Sequence, residues 1–224
     1  METFKIRASG CGEIMTSPKT KAAKEAGELS ETSKTYCKIW NLERKYNRKK
    51  VVTSKHMEKG ILQEDQGIDL YAKVNGHSML LKNDVFFEDE FMTGTPDILT
   101  GSLLVDIKCS WDLFTFPFYE INVPVNYYMQ LQIYMHLTGL NKSKLAYVLL
   151  DTPEHLIERE AWNYCNSTGY KFDEVIDKFK ADMTYEDIPE KERIKTYEVE
   201  YDPLTIERIQ NRVLECRSYI TTLK

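Results

Sequence analysis

The sequence predicts a mixed α/β (α+β) chain in which helices frame a sheet. Three observations carry this. Residues 125–138 place apolar side chains at helical spacing between a proline entry, Pro124, and a glycine stop, Gly139. Residues 144–151 form an apolar run that reads as a buried strand. Two further apolar runs flank Gly101-Ser102, a two-residue hairpin signal. At 224 residues the chain is read as a single domain over residues 1–224.

The other elements follow in order. Residues 9–15 form a small-residue turn entering a helix, which Thr16-Ser17-Pro18-Lys19 ends. Residues 20–33 are polar and read as a mobile surface connection. A helix is expected from 34 to 47, with Tyr36, Ile39 and Trp40 at helical spacing, and a second from 56 to 73. Short strands are expected at 78–82, 84–92, 96–100 and 103–109. A helix near 170–182, a strand near 194–201 and a helix near 203–221, started by Asp202-Pro203, complete the chain.

Composition excludes several classes. With 42% apolar and 29% charged residues the chain is not a disordered tail. Ten Gly and seven Pro are too few for a fibrous protein. No apolar run approaches the roughly 20 residues of a membrane span. Residues Met1 to Lys5 lack the apolar region of a secretory signal, so a cytoplasmic location is expected. Five cysteines without a CxxC pair argue against a zinc knuckle or an iron–sulfur cluster and for reduced thiols. His56, His77, His136 and His155 share no ligand spacing.

Charge is unevenly placed. The net charge is −5, yet residues 34–59 hold nine Lys/Arg against two Glu. This block contains Arg44, Lys45, Arg48, Lys49, Lys50, Lys55 and Lys59. Alone it reads as a solvated helix face; the functional alternative is a phosphate-tracking patch on an otherwise acidic body, which needs support from elsewhere in the chain.

The hairpin carries the chemistry. With Gly101-Ser102 as its loop, Leu99 faces Leu104, Ile98 faces Val105 and Asp97 faces Asp106. Directly opposed carboxylates repel and one pKa should rise. Lys108 projects from the face that carries Asp106, while Val105, Ile107 and Cys109 project from the other. A hard divalent cation such as Mg²⁺ resolves the repulsion, and the lysine can orient a water or stabilise phosphoryl charge. Mn²⁺ suits the same oxygen donors.

These residues resemble the motif of the PD-(D/E)XK nuclease superfamily: Pro96-Asp97, then Asp106-Ile107-Lys108. Upstream, Gly60-Ile61-Leu62-Gln63-Glu64 resembles that group's helical glycine-xxx-glutamate. Downstream, residues 127–139 resemble the Gln-x-Gln helix of the lambda-type phage exonucleases, the YqaJ viral recombinase family. The resemblance spans residues 7–151 and implies a restriction-endonuclease-like core, a central mixed sheet flanked by helices. It implies metal-dependent, 5′→3′ exonucleolytic degradation of linear double-stranded DNA by a trimeric ring, serving a single-strand annealing partner in phage-type recombination. By position it implies Asp97, Asp106 and the Ile107 carbonyl as metal ligands, and Glu64 as the acid of a second metal. It implies Lys108 as the catalytic lysine and Gln130 as its supporting glutamine. Ser9 stands where the family contacts a terminal phosphate; Arg7 is the nearest counterpart of the companion arginine, which lies further upstream in the family. The second acid is Asp106 where lambda-type members carry Glu.

Two other readings fit the same residues. One is a structure-selective endonuclease or repair nuclease of the superfamily. The other is a non-catalytic DNA- or partner-binding module on this fold, which the intact Asp97, Asp106 and Lys108 disfavour.

Overall fold

The computed structural model describes residues 3–223; Met1, Glu2 and Lys224 lie outside the described residues, and with them part of the amino-terminal segment read for a secretory signal. The chain begins with β1 (Ile6–Arg7), a 3-10 turn (Ala8–Gly10) and a single-turn helix, α1 (Cys11–Ile14). Next come α2 (Lys21–Glu25) and α3 (Glu31–Lys45). The polar stretch 20–33 is therefore not the irregular connection expected. Its hydroxyls cap helices: Thr20 Oγ1 accepts from Ala23 N at 3.2 Å, and Ser30 Oγ accepts from Ser33 N at 3.0 Å.

Helix α4 (Lys55–Val74) is followed by β2 (Phe87–Glu88), β3 (Met92–Gly94), β4 (Ile98–Leu99) and β5 (Leu104–Cys109). Residues 78–82 form no strand, and only part of 84–92 does. Here Asn83 replaces a ladder: its amide N donates to the Asp97 carbonyl at 2.7 Å and its Nδ2 to the Pro96 carbonyl at 2.9 Å. The chain continues through α5 (Val125–Thr138), β6 (Lys142–Val148), α6 (Glu154–Thr168), α7 (Phe172–Asp182), β7 (Ile194–Glu200) and α8 (Pro203–Thr221). Sequence reasoning missed α6. Its signals were present, since Pro153 precedes it and Gly169, at φ 83°, ends it in the left-handed conformation.

The strands form two sheets. In one, β3 lies between parallel β1 and antiparallel β2. In the other the order is β4-β5-β6-β7, with β5 and β6 parallel and both outer pairs antiparallel. Helix α5 runs through the interior and packs on α1, α8 and strands of both sheets. Residues Gln130 to Met135 are all buried, so the middle of this helix is enclosed on every side.

Helix α4 covers the other face of β5 and β6. Ile68 and Tyr71 meet Val105, Ile107, Ala146 and Val148 there. The approach is close because Gly67 has no side chain: a Cβ there would lie 3.0 Å from Ile107 Cγ2 and 3.1 Å from Val148 Cγ2. Two side chains one turn apart fix the helix axially. Lys59 Nζ donates to the carbonyls of Trp111 and Leu150, both at 2.8 Å, and to Thr152 Oγ1 at 2.9 Å. Gln63 Nε2 donates to the Asp151 carbonyl at 2.6 Å. These bonds explain why β6 stops at Val148 and not at 151: the carbonyls of Leu150 and Asp151 serve α4 instead of a ladder. Among the described residues no helix is long and apolar enough to cross a membrane.

Candidate active site

The hairpin forms in the expected register. Ile98 pairs with Val105, Leu99 pairs with Leu104, and Thr100 N donates to the Leu103 carbonyl at 2.9 Å. Strand alternation then sorts the side chains of β5. Val105 and Ile107 face α4, and Asp106 lies on the α5 side, bonded to Gln130. Asp97 sits one residue before β4, and its Oδ2 accepts from Ile107 N at 2.7 Å. This anchors the Asp97 carboxylate on β5, next to Asp106. There the Asp106 charge acts directly on the Asp97 carboxyl.

Asp106 is 1% exposed. Its Oδ1 accepts from Gln130 Nε2 at 3.1 Å, and that amide also donates to Tyr134 Oη at 2.9 Å. Its Oδ2 lies 2.6 Å from Lys108 Nζ but accepts no well-directed hydrogen bond. The Lys108 ammonium also lies 5.1 Å from the centre of the Tyr127 ring. Burial, followed by the Asp106 charge, pushes the Asp97 carboxyl well above the usual carboxylate range. Burial likewise raises Asp106, against the pull of Lys108. For Lys108, burial favours the neutral form, but Asp106 and Asp97 outweigh it and hold the ammonium charged.

Glu64 stands one turn before Gly67 on α4. It lines the same cavity of about 760 Å³ as Ser9, Asp97, Ile107, Lys108 and Gln130, and Asp106 lies behind that wall. Its charge adds to the upward shift of both aspartates. Glu64 Oε2 is paired with Lys82 Nζ at 2.8 Å. As the side chains stand, no group of three or more His, Cys, Asp or Glu that could hold a metal is found among the described residues. The donor chemistry still fits a hard divalent cation. The Asp106 charge opposes ionisation of Asp97, Glu64 on the same cavity wall adds to it, and Asp106 Oδ2 is a buried oxygen without a directed donor.

Other expected residues are placed differently. Arg7 is exposed on β1 and is not on the cavity wall. Arg44, Lys45, Arg48, Lys49 and Lys50 lie at the end of α3 and on the connection after it, outside the cavity. Arg48, Lys49 and Lys50 line a separate groove with Leu42 and Tyr46. Arg44 stacks on Trp40 at 3.9 Å. Lys59 must be removed from the surface patch: it is 0% exposed, and its ammonium anchors α4. Sequence reasoning did not assign His56, Ser110, Tyr127 or Tyr134 to the site. Tyr127 and Tyr134 stand three residues before and four after Gln130, on one helix face, and Ser110 continues the alternation of Asp106 and Lys108.

With this geometry in hand, similarity to known proteins narrows the reading. Residues 5–141 match the model of the YqaJ-like viral recombinase domain. A search of curated proteins finds no match. Among solved structures the chain is similar to a phage related exonuclease from Haemophilus somnus 129PT, with TM-score 0.78 and 29% identity over 99% of this chain and 96% of that one. It is also similar to the alkaline exonuclease LHK-Exo from Laribacter hongkongensis, with TM-score 0.62 and 15% identity over 97% of this chain and 88% of that one. LHK-Exo in complex with dAMP gives TM-score 0.63 and 17% identity over 98% and 91%. The LHK-Exo likeness bears on the fold alone. The family match covers more than half of the chain and includes both aspartates, the lysine and the glutamine-bearing helix, so this protein belongs to the family of YqaJ-like viral recombinase domains.

Proposed function

We propose that the protein is a Mg²⁺-dependent exonuclease that hydrolyses phosphodiester bonds of linear double-stranded DNA in the 5′→3′ direction, with residues 1–224 forming one nuclease domain. The observation that carries this reading is the hairpin register that sets Asp97 opposite the buried Asp106, with Lys108 Nζ 2.6 Å from Asp106. Family membership and the likeness to a phage related exonuclease support it.

Asp97, Asp106 and the Ile107 carbonyl would hold one cation, and Glu64 would serve a second; Mn²⁺ would fit the same oxygens. When bound, such a cation polarises a phosphoryl oxygen and lowers the pKa of water. The remaining work falls to the chain itself. Gln130 fixes the Asp106 carboxylate through Oδ1 and is itself fixed by Tyr134. The Lys108 ammonium, kept charged by both aspartates, orients the attacking water and stabilises charge developing on the phosphate. Ser9, on the same cavity wall, binds the terminal phosphate. Arg44, Lys45, Arg48, Lys49 and Lys50 track the duplex backbone, with Arg7 nearer the site. The working form is a homo-oligomeric ring in the cytoplasm, handing its single-stranded product to an annealing protein.

Purified protein should degrade a linear duplex in Mg²⁺, leave a covalently closed duplex intact, and stop on chelation or on Asp106→Ala. Undiminished activity in excess chelator would overturn the mechanism. Equal cutting of the closed circle would replace the exonuclease by an endonuclease. A duplex labelled at one 5′ end, with and without its phosphate, tests direction and the role of Ser9.

A further inference from the structure

Glu64 has a partner that the mechanism above does not use. Lys82 Nζ lies 2.8 Å from Glu64 Oε2, and Lys82 itself is not part of the cavity wall that Glu64 lines. Lys82 belongs to residues 77–86, which form neither helix nor strand. Met79, Leu81, Val85 and Phe86 of this segment are exposed, while Leu80 packs against the apolar cluster between α4 and β5. Asn83 fastens the segment, since its N and Nδ2 donate to the carbonyls of Asp97 and Pro96 at 2.7 and 2.9 Å. One residue is therefore bonded to the backbone of Asp97 and its neighbour to the side chain of Glu64. This places the Lys82 ammonium at the rim of the site.

Three lysines around the site are held in different ways. Lys59 is 0% exposed and has three acceptors, so it is a structural anchor. Lys108 is held by Asp106 at 2.6 Å. Lys82 has a single acceptor among the described residues, and its side chain is 49% exposed. An ammonium has three donors, so two of them remain for other acceptors. A half-exposed ion pair of this kind adds little to stability, which makes it a poor anchor and an easily exchanged contact. Its value is in the local charge. Glu64, Asp97 and Asp106 bring three carboxylates together, and Lys108 is the cation that pairs with Asp106. The bond to Glu64, followed by the charges of Glu64, Asp65 and Asp97, raises the Lys82 pKa above the ordinary lysine value. Lys82 is thus a second positive charge on the site, seated on the acid that Lys108 does not pair with.

We propose that Lys82 is an internal counter-ion of the site: it holds Glu64 until a divalent cation takes that carboxylate, and then moves to a DNA phosphate, so that cation loading and DNA binding are coupled through one ammonium. A divalent cation and an ammonium on the same carboxylate repel each other, so Lys82 leaves as the cation arrives. An incoming phosphate presents the opposite charge at the same rim. The flexible four-carbon stem allows the move while Asn83 keeps the backbone in place. The assignment of Glu64 to a second cation, and of DNA as the source of the phosphate, rests on the nuclease reading above.

Calorimetric titration of the full chain with Mn²⁺, without DNA, tests the first half. Removing an ammonium a few ångström from a divalent ion tightens that ion on the order of tenfold, even at the dielectric of water. Lys82→Met should therefore bind the weaker of two Mn²⁺ ions about tenfold more tightly than wild type, with the tighter ion little changed. Lys82→Arg should behave as wild type. Glu64→Gln should lose the weaker ion, and Lys82→Met added to it should change nothing further. DNA tests the second half. Lys82→Met should need less Mg²⁺ for half-maximal degradation of a linear duplex yet show a raised KM. Its slope of log K against log salt for duplex binding should flatten by about 0.9, one phosphate contact. Unchanged Mn²⁺ affinity in folded Lys82→Met overturns the counter-ion, and so does a gain that survives Glu64→Gln. An unchanged KM and salt slope overturn the transfer to phosphate. Either failure in a protein that still degrades DNA leaves the nuclease reading intact. Lys82-controlled cation binding by a protein that cuts no DNA would instead sink that reading and leave the counter-ion standing.

Discussion

Gln130 Nε2 donates at 3.1 Å to Oδ1 of Asp106, a carboxylate that is 1% exposed and shares its surroundings with a second acid, Asp97. The glutamine fixes one oxygen and leaves the other facing only the Lys108 ammonium, so the fold maintains a carboxylate that its own stability would be better without. Replacing Asp106 by Asn keeps the shape and removes both the repulsion and the buried charge. Asp106→Asn should therefore raise stability in metal-free buffer by about 1–3 kcal/mol, a gain in Tm of several degrees, while lowering nuclease turnover by about 10²-fold or more. Calorimetric melting beside a duplex degradation assay checks this. A variant that melts lower than wild type without metal would mean that the pair is structural.

Lys59 gives a pH signature. Burial lowers its pKa from 10.5 to about 8 in the folded protein. Below pH 8 both states carry the proton and the cost of burying the charge is fully present. Between 8 and 10.5 the folded state sheds the proton first, so this contribution to stability rises with pH and levels off above 10.5. Relative to Lys59→Met, wild-type stability should gain roughly 1–2 kcal/mol between pH 7 and 9.5. The comparison cancels the buried thiols and tyrosines, whose raised pKa values act in the opposite direction in both proteins. Parallel urea titrations across this range measure it, and two curves with identical pH slopes would exclude the linkage.

A methyl group at Gly67 would press on Ile107 Cγ2 at 3.0 Å and Val148 Cγ2 at 3.1 Å, lifting α4 from β5. Gly67→Ala should cost about 1–3 kcal/mol and, because Glu64 rides one turn away, should also reduce turnover. Denaturant melts and turnover measured on the same preparations test both parts.

The strand that carries Asp106 and Lys108 was legible in the sequence because its information is local. A two-residue loop sets the register, the register opposes Asp97 to Asp106, and alternation places Lys108. The helix 125–138 was equally plain, since Pro124 and Gly139 bound it. What escaped depends on contacts distant in the chain. Nothing near Lys59 shows that three acceptors from residues 111–152 wait for its ammonium, so it read as one more surface cation. The strand expected at 78–82 failed for a similar reason, because Asn83 satisfies the facing carbonyls of residues 96 and 97 without a ladder. Ser110 could have been found by carrying the alternation of Asp106 and Lys108 one step further.

The basic connection after α3 yields a prediction about salt. Arg48, Lys49 and Lys50 line a groove outside the carboxylate–lysine cavity, so on the proposed reading they grip DNA away from the reacting phosphate. Each phosphate that the protein no longer neutralises should flatten the slope of log K against log salt by about 0.9. The triple substitution of Arg48, Lys49 and Lys50 by Ala should therefore reduce that slope by roughly 2–3 and weaken duplex binding most at low salt. Turnover at saturating DNA should change little, because the carboxylates and Lys108 are untouched. Fluorescence anisotropy of a labelled duplex from low to moderate salt, paired with saturating kinetics, separates the two effects. An unchanged slope would assign the patch to a plain solvated surface and place the DNA path at the cavity rim around Ser9 and His56.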